Sequence, residues 1–112
     1  MIVEIPIKTG NGLNDREHYM ARHRRVAKER EQTRMIVRSA LPSRGLPCKV
    51  TITRLSNGVL DGDNLQGATK AIRDGIADAL DIADNDPRIH FFYAQEKCKR
   101  GQWGVRIQIE PA

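Results

Sequence analysis

Cysteine is scarce in this sequence: among 112 residues there are only two, Cys48 and Cys98. They stand fifty positions apart with no CxxC pair. That pattern argues against a disulfide framework or a zinc site and for reduced thiols in a cytosolic setting. Long apolar runs are missing as well, so no segment is expected to span a bilayer. The opening MIVEIPIKTG has neither a basic leader nor a long apolar stretch, so no signal peptide and a cytoplasmic location are expected. Long polar tracts and internal repeats are absent, and 39% hydrophobic with 29% charged residues reads as a folded domain. The length suits one domain, residues 1–112, and excludes a TIM barrel or a separate cofactor domain.

What is present in surplus is positive charge. Lys and Arg number 19 against 14 Asp and Glu, a formal +5, which favours a polyanionic partner such as nucleic acid. A membrane surface suits it less, because the basic segment lacks an aromatic and aliphatic face.

Alternation of Val3, Ile5 and Ile7 predicts a short first strand, and Pro6 places it at an edge or ends it early. No Gly or Pro interrupts Asn14 to Leu41, which predicts a helix capped by Asn14 with Glu17 completing a capping box. KVTITRL, from Lys49 to Leu55, alternates as a second strand. A second helix is expected from Asp63 to Leu80. Strands follow at Ile89 to Gln95 and Gly104 to Glu110, expected to form an antiparallel hairpin through Lys97 to Gly101. The fold class is therefore α+β: a small mixed sheet with two helices in the order strand, helix, strand, helix, strand, strand.

The first helix carries Arg22, Arg24, Arg25, Lys28 and Arg34 among its many cations, while Met20, Val26, Ala27, Val37 and Leu41 are expected to pack inward. Its guanidinium groups suit bidentate contact with phosphates, the alternative being a solvated face of intrahelical ion pairs. Lys97, Lys99 and Arg100 add a second basic group. Trp103 beside them either touches DNA or, the commoner outcome, packs on its own sheet. His18 and His23 share no helix face, which argues against a joint metal site, and Phe91 and Tyr93 are expected in the core.

The most informative stretch is LDGDNLQGATKAIRDGIADALDIADNDPRI, Leu60 to Ile89. Asp63 is a candidate N-cap, with Gln66 in the capping-box position, which leaves Asp61 unexplained. At about 100° per residue, Lys70 and Asp74 fall nearly in line with Asp63. Leu65, Ala68, Ile72, Ile76 and Ala79 line the opposite, buried side. The Asp–Lys–Asp line is either an ordinary solvent face or half of a site. Asp81, Asp84 and Asp86 follow directly and supply a second acidic group. Carboxylates gathered from two segments are the hard oxygen donors that Mg²⁺ or Mn²⁺ prefers. In a basic protein such a cluster suits metal-assisted cleavage of a phosphodiester. Calcium is disfavoured because no EF-hand loop is present.

Asp61-Gly-Asp63-Asn-Leu65, the following Lys70, Asp74-Gly-Ile and the turn Asp84-Asn-Asp86-Pro-Arg-Ile89 resemble the RusA family of Holliday junction resolvases, found in phages and prophages. The resemblance covers about thirty residues closely, with length and element order compatible elsewhere. It implies a small α+β homodimer that cuts four-way DNA junctions symmetrically with Mg²⁺ or Mn²⁺. It implies metal-binding roles for Asp61, Asp63 and one aspartate of the later turn, Asp84 preferred and Asp86 the alternative. Lys70 is then expected to assist catalysis, with Asn64 and Asp74 supporting the site. Two departures stand out: Ala83 precedes Asp84 where the family often has adjacent acids, and Lys70 lies one helical turn further on. The rival from another class is a DNA-binding protein that keeps the fold and the basic surface without catalysis.

Overall fold

The computed structural model describes residues 1–10, 18–41 and 45–112. Six elements follow one another: β1 Ile2–Ile5, α1 Tyr19–Ala40, β2 Cys48–Ser56, α2 Gly62–Ala79, β3 Ile89–Lys97 and β4 Gly104–Pro111. They form one four-stranded sheet in the order β1-β4-β2-β3. β4 runs antiparallel to both its neighbours, while β2 and β3 are parallel and joined by α2. The α+β class and the element order are those expected. No helix among the described residues is long and apolar enough to cross a membrane.

The expected β3–β4 hairpin does not form: β2 lies between the two strands. The burial pattern is in keeping with that order. Val105, Ile107 and Ile109 of β4 are all buried, which suits a strand flanked on both sides. β3 ends in Gln95-Glu96-Lys97, with Glu96 and Lys97 exposed, and polar residues of this kind suit an edge. The connecting turn crosses the end of β2, where the Cys98 amide donates to the Ser56 carbonyl at 2.8 Å. At the opposite edge, β1 stops at Ile5 before Pro6, as its proline predicts.

Alternation sorts each strand into two faces. Ile5, Val50, Ile52, Ile89, Val105, Ile107 and Ile109 enter one core together with Val37, Ile72, Ile76 and Leu80 of the helical layer. The expected α2 stripe is buried throughout: Leu65, Ala68, Ile72, Ile76 and Ala79.

α1 departs from its expected packing. Its fully buried line is Glu29, Thr33 and Val37, while Met20 and Ala27 are exposed and Val26 and Leu41 half-buried. α1 rests chiefly on α2 rather than flat on the sheet, so small and polar groups replace a broad aliphatic stripe. The two helices approach closely at Gly75, where a Cβ would lie 2.5 Å from the Arg30 carbonyl oxygen and 2.8 Å from Thr33 Cβ. Arg30 fastens the crossing with two hydrogen bonds to Asp78, at 2.6 and 2.9 Å. That pairing holds the Asp78 carboxyl below its ordinary range. The expected cap, Asn14 with Glu17, lies outside the described residues; the described helix opens at Tyr19, with His18 Nδ1 accepting from the Met20 amide.

Candidate functional site

The right-handed crossovers of a parallel β-α-β unit bring strand carboxyl ends and helix amino ends to the same side, where α/β proteins bind ligands. Here the carboxyl end of β2 leads into the Leu60–Asp63 segment and the first turn of α2. Leu60 is bolted to the edge strand by a reciprocal pair: its amide donates to Gln95 Oε1 at 2.8 Å, and Gln95 Nε2 donates to its carbonyl at 2.7 Å. Gln95 was not singled out from the sequence; its place on the inward face of β3 was the available signal.

The N-cap of α2 is Asp61, not Asp63. Asp61 Oδ1 accepts from the Asn64 backbone amide at 2.9 Å and from Asn64 Nδ2 at 3.0 Å, and Oδ2 accepts from the same Nδ2 at 3.1 Å. Asn64 is itself buried, so its side chain fixes the aspartate from below. The capping box with Gln66 favoured the second aspartate; the Asn64 contacts belong to the first. Three of the roughly four acceptor positions of the Asp61 carboxylate are thereby engaged.

Asp63, in the first turn, is exposed and has no polar partner among the described residues. It lines a shallow cleft of about 410 Å³ with Arg22 of α1 and with Gln66, Gly67 and Lys70 of α2. Arg22 likewise has no acidic partner among the described residues. The cleft thus brings one carboxylate together with two cations.

Asp84 is brought to Lys70 but not to Asp61 and Asp63. Lys70 Nζ donates to Asp74 at 2.8 Å and to Asp84 at 3.4 Å. Both contacts, Asp74 foremost, hold the lysine above its ordinary range. Arg73, which the sequence reading passed over, pins the same loop. Its Nη2 donates to the Asp84 carbonyl at 3.1 Å and its Nη1 to the Tyr93 hydroxyl at 2.9 Å. Its guanidinium lies 4.5 Å over the Phe91 ring, and its Nε is 3.5 Å from Asp84 Oδ2. Asp86, the alternative ligand, is turned to Arg88, which donates to it from backbone and side chain at 2.9 to 3.0 Å. Arg88 pulls the Asp86 carboxyl down to about 2.

Among the described residues, no three His, Cys, Asp or Glu side chains are grouped so as to hold a metal ion. A three-carboxylate centre of Asp61, Asp63 and Asp84 does not fit this arrangement. An open site does fit the donor chemistry, since Mg²⁺ is commonly held by one or two carboxylates and completed by water and substrate phosphates.

The basic residues divide. Arg25 pairs with Glu29 and Arg34 with Glu31 along α1, which makes that part of the helix the self-paired face. Arg22, Arg24 and Lys28 carry no such partner among the described residues, nor do Lys97, Lys99 and Arg100 at the far end of β3. Cys48 is buried and Cys98 half-buried, both as free thiols. No protein-family model matches the chain, and no curated protein matches it at a significant level.

Proposed function

We propose that this chain is a metal-dependent, structure-selective DNA endonuclease of the junction-resolving type, acting as a homodimer on four-way junctions. The observation that carries the reading is Asp63, a carboxylate with no polar partner among the described residues, on the wall of one cleft with Arg22 and Lys70. Two cations at that spot draw in a backbone phosphate. A carboxylate beside them repels that phosphate unless a cation bridges the two, so the arrangement makes sense for a site that takes up a divalent ion with its substrate. Asp63, with the remaining acceptor position of Asp61, would hold Mg²⁺ or Mn²⁺. When bound, the ion supplies charge neutralisation and polarises the phosphodiester. Lys70 and Arg22 orient the phosphate and offset the charge that builds on it. Asn64 keeps Asp61 in place, while Asp74 and Asp84 keep Lys70 in place. Arg24, Lys28, Lys97, Lys99 and Arg100 meet neighbouring phosphates. A two-fold dimer offers one such site to each of the two equivalent strands of a junction. The setting is the cytoplasm of a bacterial or phage-infected cell.

A second reading draws on a specific observation. Lys70 and Arg73 occupy the Asp84 carboxylate, as a fold that binds junctions without cutting them would allow. Incubation of the protein with an end-labelled four-way junction, in Mg²⁺ and in EDTA, separates the two. The endonuclease gives paired nicks in Mg²⁺ only, with linear duplex left intact. Retarded but uncut junction in Mg²⁺ overturns the endonuclease and leaves the binding protein.

A further inference from the structure

Arg54 is the one buried arginine among the described residues, 5% exposed. It shares the inward face of β2 with Val50 and Ile52, so its side chain is directed under the helices. Its Nε donates to Thr9 Oγ1 at 3.0 Å and its Nη1 to the Gly58 carbonyl at 3.1 Å, both neutral acceptors. No carboxylate pairs with it among the described residues, and burial alone lowers its pKa. Most of the other described arginines differ from it. Arg25, Arg30, Arg34, Arg73, Arg88 and Arg106 all face an acid within 4.0 Å. Burying a charge without a counter-ion costs several kcal/mol, which an anion bound beside Arg54 would offset.

Arg54 lines a cavity of about 420 Å³ at the carboxyl ends of β1 and β2, and among the described residues no acid contributes to its wall. Lys8 and Asn57 add donors, and Nη2 of Arg54 donates to no protein acceptor among the described residues. Trp103 closes one side and is 44% exposed, so it neither packs fully on its sheet nor lies free of the pocket. Its position follows from the turn before β4. The Gln102 amide bonds back to the Lys99 carbonyl at 3.0 Å, and Gly101 takes a φ of 86°, the left-handed conformation that favours glycine. The cavity volume lies in the usual range for small-ligand sites.

We propose that this cavity is a second nucleic-acid site, separate from the Asp63 cleft, which takes a single nucleotide of a DNA strand. The phosphate sits on Arg54 and Lys8, where the planar guanidinium matches its oxygens. The base stacks on Trp103, as bases do on aromatic platforms in single-strand binders. The inference rests on the nucleic-acid partner of the proposed function but not on cleavage.

Trp103 is the only tryptophan in the chain, so its fluorescence reports the wall of this cavity, and the Arg54 and Lys8 variants assign the change to the cavity. The protein is titrated in EDTA with a short single-stranded oligonucleotide, with thymidine monophosphate and with inorganic phosphate. The expected result is saturable quenching by the oligonucleotide, weaker quenching by the mononucleotide, and competition without quenching by phosphate. Arg54→Lys should weaken the oligonucleotide by about tenfold or more, the scale of one charge-assisted pair. Should that variant fail to fold by circular dichroism, Lys8→Ala carries the test with a loss of several-fold. No quenching, or quenching that neither variant weakens, overturns the site; equal affinity for the mononucleotide overturns the strand as its ligand. A junction nicked in Mg²⁺ by protein whose Trp103 stays silent defeats this inference alone. Quenching without any nicking defeats the endonuclease alone.

Discussion

Lys70 Nζ lies 3.4 Å from the Asp84 carboxylate, so the third acid that the motif suggests faces a cation of α2. Arg73 reinforces it from the other side. Asp63 and Asp84, alike in the motif, are therefore expected to differ in role. Asp84→Asn should retain Mg²⁺-dependent nicking to within about tenfold, as expected for a residue that orients a lysine rather than holding an ion. Single-turnover rates on a labelled junction check this, and abolition of nicking in that variant would return Asp84 to the metal.

Asp61 has a structural duty that can be measured apart from chemistry. Loss of an N-cap side chain costs about 0.5–2 kcal/mol. Asp61→Ala should lower the unfolding free energy by that amount, while Asp61→Asn, which still caps, should lose less. Urea unfolding of the two variants decides it. Equal losses would mean that the cap hydrogen bonds to Asn64 contribute little.

The α1–α2 crossing makes a pair of opposite predictions. Thr33 is fully buried and its hydroxyl has no hydrogen-bond partner among the described residues, so Thr33→Val should raise stability by about 1 kcal/mol by removing an unsatisfied polar group. Gly75→Ala should lower it by about 1–3 kcal/mol, because the new methyl meets the Arg30 carbonyl and the Thr33 side chain. Thermal melts of both variants provide the comparison.

Acid titration tests the Asp86–Arg88 turn. The Asp86 carboxyl is held at about 2, below its ordinary 3.8. A depressed folded-state value means stability that is complete above the unfolded pKa and is lost as pH falls through the folded one. The melting temperature of the wild type should exceed that of Asp86→Asn near neutrality, with the gap closing between about pH 4 and pH 2. A gap that does not change with pH would show that the ion pair is not its source.

Much of the fold was legible because the signals were local. The stripe from Leu65 to Ala79 announces the buried face of α2, and Pro6 announces the short edge strand. What escaped depended on partners far along the chain. The line Glu29–Thr33–Val37 becomes the inner face of α1 only because Gly75 lets α2 come close. The pairing of β4 with β2 rather than β3 depends on how strands compete for the centre of the sheet, which no single segment encodes. At the site, Asp61 and Asp63 were legible as a pair, but Asn64 decided which of them caps. Lys70 and Arg73 reach Asp84 from fourteen and eleven residues earlier, across the end of α2, so the cations beside this acid could not be read from its local sequence. Arg54 sat unnoticed inside a regular strand pattern, since alternation reveals its inward direction but not the lack of an acid beside it.

The most direct test of the central claim is the Mg²⁺-dependent nicking rate of Asp63→Asn against wild type on one labelled four-way junction, with binding of both followed by gel retardation. The account predicts that the variant binds the junction as tightly as wild type and loses nicking by about a thousandfold, the scale of removing a group that acts in the transition state. Nicking by Asp63→Asn at the wild-type rate would contradict it.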